Sequence, residues 1–171
     1  MALFCETKNF TVEAKDQPHV CRTDGGHIVI RPKKPVCHRW EFDAQRASEV
    51  MLLSMIVGQA MLIGLNKQGI PVERINFQDS GNWAIGEGKL PKFHLHLYGR
   101  SRDSVHQKRG EALVFPEKKT KFYEKLEPLH NADIEEILRQ IKRISKRKKY
   151  QRCNLRITAI LPAPTARAAQ H

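Results

Sequence analysis

The stretch PKFHLHLYGR, residues 91–100, is the feature that most restricts the fold of this 171-residue chain. Apolar and polar side chains alternate along it, which is the pattern of a β-strand with one face in a core. Phe93, Leu95 and Leu97 would point to one side of such a strand. The other side would carry a lysine, two imidazoles and a phenol, from Lys92, His94, His96 and Tyr98. We therefore expect a sheet with one apolar face and one polar, chemically active face.

Further strands are predicted from short apolar or alternating runs that are bounded by turn residues. These runs lie at residues 8–14, 27–32, 72–78, 112–115 and 155–160. The segment between residues 79 and 91 is rich in glycine and is predicted to be a connection.

Two helices are predicted beside the strands. An apolar helix should run from Ala44 to Lys67, with Asp43 as its N-cap and Gly69 near its C-terminus. A stripe of isoleucine and leucine with a period of 3.6 residues predicts a second helix over residues 131–149, capped by Asn131. These strands and helices predict an α+β fold class with a C-terminal helical extension.

The chain divides by composition into one main domain and a C-terminal part. Residues 1–128 form the predicted domain, residues 129–161 an extension with the basic helix and a possible strand, and residues 162–171 an Ala/Pro-rich disordered tail. The N-terminus lacks the apolar core of a signal peptide, and the most apolar run, Val50 to Leu65, is shorter than the about 20 residues of a membrane span. We expect a cytoplasmic protein with no membrane partner.

The charge balance favours an anionic partner. The chain has 30 basic and 18 acidic residues and a formal net charge of +12. Eight of the basic residues lie between Arg139 and Arg152, where there is no acidic residue. This segment, 139–152, is either a solvated helix face or a surface for weak binding of nucleic acid.

The four cysteines are widely spaced, without a CxxC motif, and are expected to be free thiols. His19 with Cys21, and Cys37 with His38, have a loose spacing for zinc, which is the weaker interpretation.

Three interpretations of the histidine strand are open on physical grounds. The rings of His94 and His96 could be hydrogen-bonded on a half-exposed face. They could bind a metal with His27 as third ligand, although the fixed charge of Lys92 opposes a dication. A neutral imidazole could also attack phosphorus, while the second imidazole and the lysine stabilise the oxygens. Lys92 favours the anion.

The order of these residues resembles that of the histidine triad (HIT) superfamily of nucleotide hydrolases and transferases. The family motif is His-φ-His-φ-His-φ-φ, where φ is apolar, often followed by an arginine. When Arg100 is set on that arginine, His96 falls on the third histidine, His94 on the middle one and Lys92 on the first.

Two other segments carry the same resemblance. GGHIVIRPKKPV, residues 25–36, is similar to the glycine-histidine strand and proline-lysine turn of the family, and it places His27 on that strand's histidine. NFQDSGN, residues 76–82, is similar to the segment with a phosphate-contacting amide, which gives Gln78 and Asn82 this role.

The resemblance implies a HIT-like α+β domain over residues 1–128, with an antiparallel sheet and a long packed helix. It also implies a homodimer, and nucleotidyl transfer without a metal or cofactor. His94 would attack the α-phosphate of a nucleoside phosphoramidate or polyphosphate, assisted by His96 and His27. Gln78 would hold a phosphate oxygen. The other residues expected to contact the phosphate or nucleotide are Asn82, Lys89, Lys92 and Arg100.

Lys92 departs from the family pattern, because an ammonium group can donate a proton in hydrogen bonds but cannot accept one. The alternative is therefore a binding module for nucleotide or nucleic acid that does not turn over. The family's usual segment before the motif is also missing, and Lys89, with Gly86 and Gly88, could instead hold an oxyanion.

Overall fold

One antiparallel sheet of six strands organises the chain. The computed structural model describes residues 2–79, 82–151 and 155–160, and every structural statement refers to these. The strands are β1 (Ala2–Glu6), β2 (Phe10–Ala14), β3 (His27–Pro32), β4 (Val72–Asp79), β5 (Leu95–Ser101) and β6 (Thr158–Ala159). Their order in the sheet is β4-β5-β3-β2-β1-β6, and every neighbouring pair is antiparallel. The predicted antiparallel sheet is confirmed.

Helices and short 3₁₀ turns connect the strands or pack beside them. The helices are α1 (Ala44–Lys67), α2 (Asn82–Gly86), α3 (Asn131–Ser145) and α4 (Lys148–Gln151). The 3₁₀ turns are Arg39–Glu41, Lys118–Thr120 and Phe122–Lys125.

Helix α1 has the predicted bounds, and its ends explain why. The Asp43 carboxylate accepts a hydrogen bond of 2.8 Å from the backbone N–H of Arg46, which satisfies an amide of the first turn. Gly69, at φ +80°, turns the chain after the helix. By length and composition alone, α1 would also suit a membrane span. Its hydrophobicity has a structural explanation, because more than half of its most apolar window is buried within the protein.

The core lies between the sheet and helices α1 and α3. Leu95 and Leu97 of β5 and Ile28 and Ile30 of β3 point into it, together with the apolar side of α1. The predicted stripe of α3 is buried, and Ile137 packs against Gly64 of α1, where a Cβ would lie only 3.0 Å from its side chain. Strand β6 pairs with β1. The C-terminal part thus packs on the sheet and α1, while residues 162–171 lie outside the described residues.

Several local predictions are wrong. Strand β1 and helix α2 were not predicted, and residues 112–115 form an irregular segment instead of a strand. Strand β5 starts at Leu95, so His94 precedes it. The N-cap of α3 is His130, whose backbone N–H donates to the carboxylate of Asp133 at 2.8 Å.

The second face of the sheet is covered by irregular segments at residues 15–26 and 102–129. The fully buried carboxylate of Asp24 joins them, since it accepts hydrogen bonds of 2.8–2.9 Å from the backbone N–H groups of Val105, His106 and Gln107. Gln107 in turn donates to the carbonyl of His19. The Asp24 carboxylate therefore helps to hold together the two segments that cover the polar face of the sheet.

Two glycines allow the end of the first of these segments to run close alongside β5. Gly25, at φ +125°, lies directly against Gly99, and a Cβ at Gly99 would overlap with the carbonyl group of Gly25. The backbone N–H of Gly99 donates to Gly26, and that of Ser101 donates to Asp24. Any side chain at Gly99 would force these two backbones apart.

We predict that Gly99→Ala lowers the free energy of unfolding by about 3 kcal/mol or more, because a rigid backbone oxygen occupies the space of the new methyl group. Gly86→Ala is the matched control, since it places the same methyl group in open space. Urea denaturation of both variants is the measurement. Equal stability of the two variants would contradict this packing.

Candidate active site

Strands β3 and β5 bring His27 and His96 together on the face of the sheet opposite α1. In their antiparallel register, His27 lies opposite Tyr98 and Val29 opposite His96. Because side chains alternate, Leu95 and Leu97 enter the core, and His96 and Tyr98 point to the other face. Only 1% of His27 and 5% of His96 is exposed.

A chain of hydrogen bonds fixes the tautomers of these two rings. The backbone N–H of His19 donates to Nδ1 of His27 at 3.1 Å, so this nitrogen carries no proton. The proton of a neutral His27 is then on Nε2, which lies 2.8 Å from Nδ1 of His96. His96 accepts there and carries its own proton on Nε2. The ring of His96 therefore presents an N–H donor at its far side.

His94 has the opposite tautomer. Its Nδ1 lies 2.7 Å from the backbone carbonyl oxygen of Lys92, which can only accept. Nδ1 must therefore carry the proton, and Nε2 of a neutral ring has a free lone pair. The half-buried ring of His94 meets that of His96 edge to face, with 4.5 Å between centroids. A nucleophilic nitrogen and an N–H donor thus belong to neighbouring rings on one side of the chain.

Burial keeps all three imidazoles neutral near pH 7. It lowers the pKa of His27 well below its ordinary value, and the charges of His96 and His19 lower it further. Burial, followed by the charge of His94, lowers the pKa of His96 to about 2. The pKa of His94 is also lowered by burial, although its hydrogen bond to Lys92 acts in the opposite direction. A neutral His94 is the form that can act as a nucleophile.

Gln78, one of the two predicted phosphate-binding amides, lies on the strand next to these rings. Gln78 of β4 is directly opposite His96 on β5, so the two half-buried or buried side chains share one face. Asn82 is the first residue of α2, and its side chain is outside the described part of the structure.

The three predicted cations occupy different surroundings. Lys92 is exposed just before His94, and its carbonyl group makes the contact described above. Lys89 is exposed and forms an ion pair of 2.8 Å with Glu87. Arg100 is on the same face of β5 as His96, but its guanidinium donates to the carbonyl groups of Lys108 and Glu111. Arg100 therefore holds the segment that covers the sheet.

His19 is the site residue that the sequence analysis did not assign to this face. Its Nδ1 is 3.0 Å from the hydroxyl of Tyr98, and its ring centroid is 4.8 Å from that of His27. Three aromatic rings surround it at centroid distances of 5.2–5.6 Å, from Trp83, Phe115 and Tyr123. The sequence contains no motif for this position, because a folded-back irregular segment brings it there.

One group of side chains in the described part of the chain could hold a metal ion. It consists of His19, His27 and His96. One nitrogen from each ring lies within 4.8 Å of the others. His19 therefore takes the place of His94 in the predicted set of metal ligands. The observed group includes no cysteine, in contrast to the weaker zinc interpretation. Both nitrogens of His27 already have hydrogen-bond partners, so a metal would have to displace one of them. The observed distances suit hydrogen-bonded imidazoles better than metal ligands.

Comparison with known proteins identifies the fold. No protein-family model matches the sequence, and no curated protein matches it. A solved structure with a similar fold is that of a "Hit-like protein involved in cell-cycle regulation" from Bartonella henselae, crystallised with an unknown ligand. The two chains are 13% identical, the match covers 79% of this chain and 82% of that one, and the TM-score is 0.50. The fold of this chain is HIT-like, as the sequence motifs predicted.

We predict that the free energy of unfolding falls as the pH drops below about 6.5. In this range the unfolded histidines gain protons, whereas buried His27 and His96 do not, because their pKa values are lowered in the folded state. Each should contribute about 1.4 kcal/mol per pH unit below pH 5.5, and this slope should continue until the folded-state pKa is reached.

Urea denaturation between pH 4.5 and 7.5 measures this slope. His96→Gln should reduce this slope by the contribution of one histidine. Equal slopes for the wild-type protein and His96→Gln would show that His96 is protonated in the folded protein.

Proposed function

We propose that the protein transfers nucleotidyl groups through His94. Nε2 of His94 attacks the α-phosphorus of a nucleoside phosphoramidate or polyphosphate and forms a nucleotidyl-histidine, which water then hydrolyses. The observation that carries this proposal is the 2.7 Å contact between Nδ1 of His94 and the Lys92 carbonyl, because it leaves the Nε2 lone pair free. The HIT-like fold supports it.

The hydrogen bond between His94 and the Lys92 carbonyl orients the ring and also favours the reaction itself. When the Nε2–P bond forms, the bond from phosphorus to the leaving group breaks, and the leaving group departs with the electron pair. The imidazole then carries positive charge, which the Lys92 carbonyl dipole at Nδ1–H stabilises. Water next attacks phosphorus and releases one proton to solvent, the P–N bond breaks, and the lone pair returns to Nε2. A proton on Nδ1 is therefore useful in both steps.

Neighbouring groups would bind the phosphate oxygens. His96 offers an N–H donor that His27 fixes in this tautomer, and Gln78 offers an amide on the adjacent strand. Lys92 adds an exposed ammonium next to the nucleophile. Partial burial of His94 strengthens these interactions, since charge is screened less outside bulk water. Lys92 thus contributes binding of negative charge instead of the proton exchange that an imidazole provides.

We predict that His94→Ala lowers release of nucleoside monophosphate from an adenosine phosphoramidate or a dinucleoside polyphosphate by a factor on the order of 10⁴ or more. The loss follows from removal of the attacking nitrogen. The protein should also acquire label at His94 when it is quenched during turnover of labelled substrate. Rate measurements and peptide mass spectrometry provide the readouts.

His38→Ala is the matched control, because it removes an exposed histidine whose ring stacks on Trp40 and not on the site histidines. Unchanged turnover in His94→Ala, or label on another residue, would contradict the role of His94. Tight binding of nucleotide to the wild-type protein with no turnover and no label would favour the alternative, a non-catalytic nucleotide-binding module.

A second candidate function is weak binding of nucleic acid by a basic surface on α3 and α4. We define the basic surface by its exposed cations Lys142, Arg143, Lys146, Lys148 and Lys149. Within the described part of the chain none of these five forms an ion pair, whereas Arg139 is paired with Glu136. Unpaired cations on one surface are the usual basis of phosphate-backbone binding. Residue 152, the last cation of the predicted segment, is outside the described residues.

We predict that Lys146→Gln with Lys149→Gln lowers the slope of log Kobs for an oligonucleotide against log salt by roughly 2. Two phosphate contacts are lost in this variant. Lys8→Gln with Lys34→Gln removes the same charge from exposed positions elsewhere and should leave the slope unchanged. Equal slopes for the two double variants would show that the basic surface is exposed to solvent and does not bind the nucleic acid specifically.

The homodimer, the cytoplasmic location and the absence of a membrane partner stay predictions. Exposed Met51 and Met55 on α1 and Phe77 on edge strand β4 are apolar groups that a second copy could cover.

A further inference from the structure

A cavity lies on the same face of the sheet as the histidines, towards the end of β5. It has a volume of about 470 Å³ and is open to solvent between β4, β5 and the segment after Arg100. Its polar lining includes Glu73, Arg74, Asn76, Arg100, Arg109 and Glu111. We call it the arginine cavity.

Arg100 is the buried cation of this cavity. Only 3% of the residue is exposed, and Nη2 donates to the carbonyl groups of Lys108 and Glu111. Nη1 is buried and has no hydrogen-bond partner among the described residues. Within the same residues Arg100 forms no ion pair. Burial lowers the pKa of Arg100, and the charges of Asp24 and Glu111 act in the opposite direction without cancelling this effect. An anion in the cavity would therefore stabilise the buried guanidinium further.

A second arginine lies directly across from the first. Arg74 of β4 is the register partner of Arg100 on β5, so the two side chains stand next to each other on one face. Like charges in directly opposite positions destabilise a sheet. An anion between the two guanidinium groups would convert this repulsion into two attractive contacts.

The remaining charges leave the cavity net positive. Arg109 forms an ion pair with Glu73, and Glu111 contributes one more carboxylate. Three guanidinium groups thus face two carboxylates. Guanidinium groups bind the oxygens of phosphate in a bidentate manner, which a compact ammonium cannot do.

We propose that the arginine cavity binds a phosphoryl group, either of free pyrophosphate or at the end of a longer phosphorylated ligand. It is separate from the place where His94 would attack. Arg100 is four residues from His96 and six from His94, which corresponds to roughly 13 and 20 Å along an extended chain. The proposal rests on the cavity and its charges and does not require nucleotidyl transfer.

Titration of the full-length chain with inorganic pyrophosphate, followed by calorimetry, tests this proposal. Arg74→Gln should weaken binding roughly tenfold, because it removes one charged donor. The control is Arg102→Gln, which removes the same charge from an exposed neighbour that pairs with Asp103 and does not line the cavity. It should change the affinity less than twofold. Arg100 itself is kept, because it also holds the segment that covers the sheet.

His94→Ala separates this site from the histidines. The Arg74-dependent binding should persist in His94→Ala, whatever happens to nucleotide turnover. If Arg74→Gln and Arg102→Gln weakened pyrophosphate binding equally, the loss would reflect only the lower net charge of the protein. This result would overturn the proposal. Loss of binding in His94→Ala would place the anion at the histidines, and no measurable binding to the wild-type protein would refute the site.

Discussion

Two imidazoles that meet in a dry interior can share only one proton between the nitrogens that face each other, and His27 and His96 are in this position. The direction of sharing is set outside the pair, by the backbone N–H of His19. The segment at residues 15–26 must therefore stay folded over the sheet for the pair to remain neutral and ordered. Asp24 and the contact between Gly25 and Gly99 hold it there. The arrangement of the buried histidine pair thus depends on the segment that covers the sheet.

The sheet separates packing from chemistry. One face is covered by α1 and supplies most of the apolar burial, so the other face can carry imidazoles, a phenol, amides and arginines. Along this face the character changes from neutral hydrogen-bonding groups at His94 and His96 to fixed positive charge at Arg74 and Arg100. A ligand with separated phosphate groups would meet a nucleophile at one end and charge at the other.

The sequence was sufficient for features that depend on local pattern. Helix α1 and strand β3 have their predicted bounds, and the alternation at residues 93–98 correctly placed His94 and His96 on one side. Features that depend on tertiary contacts were missed. His19 reaches the site only because its segment folds back, and residues 112–115 resemble a strand but are held by side chains such as Gln107. The role of Arg100 in holding its own loop could not be inferred either, since it depends on distant carbonyl groups.

The tautomers of the three histidines are the most direct test of this account. Long-range ¹H–¹⁵N correlation spectra of the protein labelled at histidine distinguish a protonated from an unprotonated ring nitrogen at each position. The account predicts that neutral His94 carries its proton on Nδ1, whereas His27 and His96 carry theirs on Nε2. A spectrum with the proton of His94 on Nε2 would contradict it, because the nitrogen that should attack phosphorus would then have no free lone pair.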